Sequence, residues 1–114
     1  MSNPRYANGN FRRKMRARFK AQGLPCHICK GRLGPIDYTA PCDAGHPLSF
    51  VIDEIRPVSR WLEFGYDSPA AATRDPENLA PAHRICNASK GAHTLRELEK
   101  KPAPRKPTVK DGDW

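Results

Sequence analysis

Two pairs of metal-binding residue types stand out in the chain, Cys26-x-x-Cys29 and His83-x-x-Cys86, each with a gap of two residues. Thiolate and imidazole are the ligands zinc favours, and that gap lets both side chains of a knuckle or of a helical turn reach one tetrahedral ion. Together the pairs supply four ligands, which makes a closed site with a structural role. Cys42 competes for the fourth position, as does His46 more weakly, and sequence distance excludes neither. Both lie in a loop without a partner at matching spacing, so His83 is preferred. Cys42 then reads as a small buried or half-buried thiol, and His27 and His46 as surface histidines.

A second constellation is rich in oxygen. Asp53 and Glu54 follow the apolar run Phe50-Val51-Ile52, and an acid beside such residues costs free energy unless a cation or donor meets it. The plainer reading leaves both acids solvated at a strand end, with Arg56 as a local ion-pair partner. Asn87 shifts the balance, because it directly follows a zinc-ligand candidate on a helix, so that zinc would anchor its backbone and aim its amide oxygen at the strand. One Asp, one Asn and water suit Mg²⁺ or Mn²⁺, which bind few protein groups and keep waters and substrate phosphate as ligands.

These residues need elements to hold them. Phe11, Met15 and Phe19 recur at helical spacing and predict a helix from about Asn10 to Gln22, stopped by Gly23 and redirected by Pro25. Residues 26–33 have the shape of a zinc knuckle, and residues 34–47 read as loop. Phe50 to Ile55 is a strand by its β-branched content, ended by Pro57. Residues 59–76 form an insertion in which Trp61 and Phe64 read as core cover. Asn78 sits at a turn, where it ties the loop by side-chain to backbone bonds. Leu79 to Ala82 is a short second strand, and a helix starts near His83 and runs to about Lys90. A further turn or two spans Thr94 to Lys100. Residues 1–8 read as frayed and 102–114 as a flexible Pro- and Lys-rich tail.

Composition bounds the rest. A chain of 114 residues with 12 prolines has room for one small core, so something besides apolar burial should help hold it. Four cysteines without a preceding signal-like apolar run favour metal over disulfides, and no run approaches the roughly 20 apolar residues of a membrane span. The expectation is a soluble, intracellular, cytoplasmic protein. Residues 1–30 carry eight Lys or Arg and no acid, which equals the net charge of +8 for the whole chain. A block of one sign is a footprint for a polyanion, since Lys and Arg that neutralise phosphates release condensed counterions. Arg12, Arg13 and Arg16 on the first helix, with Arg56, Arg84 and Lys90 near the acids, are the candidate phosphate-facing cations.

Taken in order, Cys26-x-x-Cys29, Asp53-Glu54-Ile55-Arg56-Pro57, Asn78-Leu79 and His83-x-x-Cys86-Asn87-x-x-Lys90 resemble the HNH endonuclease family. The resemblance covers about residues 24–93. It implies an α+β fold, a small zinc-stapled ββα-metal domain, flanked here by a basic helix over 1–23 and a short helix and tail over 94–114. It further implies metal-dependent cleavage of DNA phosphodiesters, as a nick or a double-strand cut, in a phage or mobile-element setting where a phage protein is a possible partner. By resemblance, Asp53 and Asn87 are ligands of a catalytic Mg²⁺ or Mn²⁺, and Asn78 is the loop-ordering asparagine of the catalytic set. Two positions depart from the family pattern. His83 stands for a cysteine, which zinc accepts. Glu54 stands where the family has a histidine acting as general base, and a carboxylate is the weaker base. Glu54 is then the base, or an extra metal ligand, or the mark of an impaired site. The alternative function is accordingly a zinc-containing nucleic-acid-binding module that has lost the chemistry.

Overall fold

The computed structural model describes residues 9–43 and 45–100. The expected frayed start over 1–8 and the expected tail over 102–114 lie outside the described residues. The described residues form a small α+β unit with one two-stranded antiparallel sheet. Among the described residues no helix is long and apolar enough to cross a membrane.

Helix α1, Gly9–Gln22, buries Met15 and Phe19, two of the three apolar residues at helical spacing, and leaves most of its Lys and Arg exposed. It stops at Gly23, whose positive φ of 61° allows its N–H to donate back to Phe19 O at 2.9 Å and Lys20 O at 3.2 Å. The chain then turns through the Cys26–Cys29 knuckle, where Lys30 and Gly31 both take positive φ. His27 N–H donates to Pro81 O at 3.1 Å and docks the knuckle against the sheet.

Strand β1, Phe50–Glu54, pairs with β2, Leu79–His83, in a register that runs from Phe50 opposite His83 to Glu54 opposite Leu79. Pro81 is tolerated inside β2 because a two-stranded sheet consists only of edges. Helix α3, Arg84–Lys90, follows β2 without a linker and ends at Gly91. Both strands are one residue away from the expected bounds. His83 is therefore the last strand residue, and Cys86 lies in the first turn of α3.

The segment between the strands holds a 3₁₀ turn at Val58–Arg60, helix α2 at Pro69–Arg74 and a second 3₁₀ turn at Pro76–Asn78. Ser68 caps α2 by accepting from Ala71 N–H at 3.1 Å. Trp61 and Phe64 are only half-buried, and Leu62 beside them is exposed, so the cover they provide is partial. Helix α4, Leu95–Lys100, closes the described fold.

The core gathers Met15, Phe19, Ile36, Phe50, Ile52, Leu79 and Ala82 around Cys26, Cys29 and Cys86. Phe50 is its hinge point: Phe19 meets it edge-on at 6.4 Å between centroids, Tyr38 packs at 4.8 Å, and the Arg16 guanidinium lies 4.5 Å over its ring. Three of the ten buried core side chains are cysteines. An apolar core of this size stabilises a domain only marginally, which is why the cysteine cluster matters to the fold.

Candidate metal centre

Two chain segments more than fifty residues apart converge at the cysteines. The ligand atoms of Cys26, Cys29, His83 and Cys86 all lie within 4.8 Å of one another, and all four residues are buried. His83 Nδ1 is 3.5 Å from Cys29 Sγ and 3.6 Å from Cys86 Sγ. A tetrahedron built from zinc–sulfur and zinc–nitrogen bonds has an N-to-S edge of about 3.6 Å, so these separations fit one ion between the groups. On the other side of the ring, Nε2 lies 3.3 Å from Pro35 O. A proton on Nε2 donated to that carbonyl leaves the Nδ1 lone pair facing the sulfurs, the arrangement a ligating histidine needs.

The thiols respond to one another. Burial pushes the Cys86 thiol up to about 12, with Cys26 and Cys29 adding to the effect. Burial also raises Cys29, but N–H groups of Leu33 and Gly31, joined by Cys26 and His83, outweigh it and bring that thiol down to about 6. Three sulfurs this close cannot all carry charge unless a cation sits among them, and coordination to zinc deprotonates them together. The buried Cys/His cluster therefore fits a structural zinc site. Cys42, expected to be at least half-buried, is exposed, as is His46, and neither joins the cluster, whose fourth member is His83.

The oxygen groups stand on the same scaffold. Asp53, Glu54 and Asn87 line one open cleft of about 470 Å³, together with Val58, Ser59 and Gly91. Asn87 is half-buried, and its side-chain amide makes no hydrogen bond to a described residue. Asp53 is only 3 % exposed and uses both oxygens: Oδ2 is 2.7 Å from His27 Nε2, and Oδ1 accepts from Lys90 Nζ at 3.1 Å. Lys90 Nζ also donates to Glu54 O at 3.0 Å. Glu54 is buried as well, and its Oε2 accepts from Arg12 Nη1 of α1 at 3.3 Å.

Several sequence expectations need correction at this point. Lys90 is not a phosphate-facing surface cation: it is 1 % exposed and committed to Asp53, because a buried carboxylate needs a charge partner. Neither acid is solvated, and Arg56 is not their partner. Arg56 instead donates to Tyr66 OH at 2.8 Å and pairs with Asp75 at 3.6 Å. Arg12 is half-buried against Glu54, whereas Arg13 and Arg16 are exposed on α1, and Arg84 is half-buried at the start of α3. His27, read as a surface histidine, is half-buried on Asp53. Its position between Cys26 and Cys29 was visible in the sequence, but nothing there pairs it with a residue 26 positions away.

Asn78 behaves as its turn position suggested. It is fully buried, and its Oδ1 accepts from Arg56 N–H at 2.7 Å, while Nδ2 donates to Arg56 O at 3.1 Å and to Ala72 O at 3.0 Å. Its contribution is to order the loop, since no atom of its side chain is open to a substrate.

The far wall of the cleft is tied by Arg60. Its guanidinium donates to Ala92 O at 3.2 Å and to both Glu97 oxygens at 2.7 and 2.9 Å, while also pairing with Glu63. Comparison of the chain with protein-family models, with curated proteins and with solved structures found no match. The functional reading therefore stands on the residues themselves.

Proposed function

We propose that the chain is a metal-dependent endonuclease of HNH type that hydrolyses DNA phosphodiester bonds. The observation that carries this reading is the cleft in which Asp53, Glu54 and an Asn87 amide that hydrogen-bonds to no described residue meet on a strand–strand–helix unit anchored by the buried Cys/His tetrad. A carboxylate and an amide offer hard oxygen donors, which fit Mg²⁺ or Mn²⁺. Each Asp53 oxygen retains a lone pair beyond its bond to His27 or Lys90.

In this reading Asp53 and Asn87 hold the divalent ion. Such an ion supplies Lewis-acid stabilisation of charge on a phosphoryl oxygen. Glu54 orients water and accepts its proton, and Arg12 fixes the Glu54 carboxylate from α1. Lys90 offsets the Asp53 charge from within. The exposed Arg13 and Arg16 contact the nucleic-acid backbone, which makes binding independent of sequence and strongly salt-dependent.

A second reading is favoured by the saturation of the acids: with Asp53 held by His27 and Lys90 and Glu54 by Arg12, the module could bind nucleic acid without cutting it. The deciding experiment is cleavage of supercoiled plasmid at low salt with Mn²⁺ or Mg²⁺, comparing the protein with Asp53→Ala, both zinc-loaded. Nicking by the first and none by the second supports the nuclease. Plasmid binding by both with cleavage by neither moves the conclusion to the binding module.

A further inference from the structure

His27 is the one imidazole that the described residues bring to the oxygen cluster: His83 faces the sulfurs, and His46 and His93 are exposed. It reaches Asp53 from a constrained place. Its backbone N–H is bound to Pro81 O, and it lies between Cys26 and Cys29 on the knuckle. Lys90 reaches the other Asp53 oxygen from α3, one turn after Cys86.

The two partners do different work. Lys90 offsets the charge of a buried carboxylate, and for that a second donor is not required. What His27 adds is direction. The terminal torsion of an aspartate is broad, so one donor leaves the carboxylate plane free to turn. Two donors on separate oxygens, at 2.7 and 3.1 Å and from different elements, fix that plane. Asn87, the other oxygen donor in the cleft, directly follows Cys86. Both halves of the oxygen cluster thus depend on residues beside zinc ligands.

We propose that His27 is a positioning residue: through its hydrogen bond with Asp53 it holds that carboxylate in the orientation from which, with Asn87, it binds a divalent cation. The inference rests on the reading of Asp53 and Asn87 as a cation site. It makes the knuckle more than a staple, since the residue inside it sets the affinity of the neighbouring cleft.

The test is Mn²⁺ binding to the full-length, zinc-loaded chain, followed by the loss of the free-ion EPR signal, in the wild type, His27→Gln and His27→Asn. Glutamine places an amide N–H near the position of Nε2, whereas asparagine is too short to reach Asp53. The expected result is that His27→Asn weakens Mn²⁺ binding by about ten- to a hundredfold, the usual cost of losing an outer partner of a metal ligand. His27→Gln should bind close to the wild-type level, and all three proteins should retain one zinc. Equal affinity in all three, or equal weakening in both variants, overturns the proposal. So does loss of zinc from His27→Asn, which would make the His27–Asp53 bond a matter of folding. A nitrogen modulation from Mn²⁺-bound imidazole in pulsed EPR, absent from His27→Gln, would make His27 itself a ligand and also overturn it. A wild-type chain that takes up no Mn²⁺ would refute the cation site first, and this inference with it.

Discussion

Replacing Asn78 tests whether the cleft is held open by one buried amide. The side chain is fully buried and makes three hydrogen bonds, all to backbone: one from Arg56 N–H, one to Arg56 O and one to Ala72 O. Its own carbonyl accepts from Ile55 N–H at 2.8 Å, so Asn78 prolongs the pairing of β1 and β2 beyond Glu54 and Leu79. Asn78→Ala removes the partner of three backbone groups at once. A buried group left unsatisfied costs about 1–3 kcal/mol, but Arg56 is half-exposed and water can serve part of the loss, so a total of about 2–4 kcal/mol is expected. That is a large share of the roughly 5–15 kcal/mol that stabilises a domain. At about 4–8 °C per kcal/mol for a domain this small, the melting temperature should fall by roughly 8–32 °C. Asn78→Asp is the sharper variant. It keeps the acceptor for Arg56 N–H but turns a carboxylate oxygen toward two carbonyls, and it should be at least as unstable. The assay is thermal and urea unfolding at a fixed free zinc concentration, because zinc release would otherwise shift the midpoint. An Asn78→Asp protein that melts with the wild type would refute the assignment of both donor bonds.

Three further outcomes are expected. The chain should bind one zinc with an S₃N environment, visible as tetrahedral d–d bands after Co²⁺ substitution; Cys86→Ser should abolish this and unfold the domain, whereas Cys42→Ser should change neither. Glu97 is drawn down to about 2, first by its bond to Arg60 and then by Thr94 N–H. A carboxylate lowered in the folded state stabilises above its usual range near 4.5 and loses that contribution as pH falls toward 2. Protection of the α4 amides, measured against their intrinsic exchange rates, should therefore fall further over that interval in the wild type than in Glu97→Gln. Finally, Arg13→Gln with Arg16→Gln should weaken DNA binding and flatten the dependence of log K on log salt by up to about 0.9 for each phosphate that is no longer neutralised. An unchanged slope would remove Arg13 and Arg16 from the interface.

The ligand pairs were legible in the sequence because each depends on a local repeat: two residues between Cys26 and Cys29, two between His83 and Cys86. The α1 face was legible for the same reason, since Phe11, Met15 and Phe19 recur at a helical period. The loop-ordering role of Asn78 could be read from its turn position, but its main partner could not, because Arg56 lies 22 positions away. Which acids are free could not be read that way. Asp53 meets His27 and Lys90, 26 and 37 positions away, and Glu54 meets Arg12, 42 positions away. Those partners are set by how the knuckle, α1 and α3 stack on one hairpin. Charge alone placed Lys90 at the surface with the other cations, and tertiary packing buried it, because a carboxylate enclosed among apolar strands requires a cation at its side. Residue types and spacing thus determined what chemistry the chain can hold. Only the folded arrangement decided which of those groups face the cleft and which compensate one another inside it, because that depends on the meeting of distant segments that no local period records.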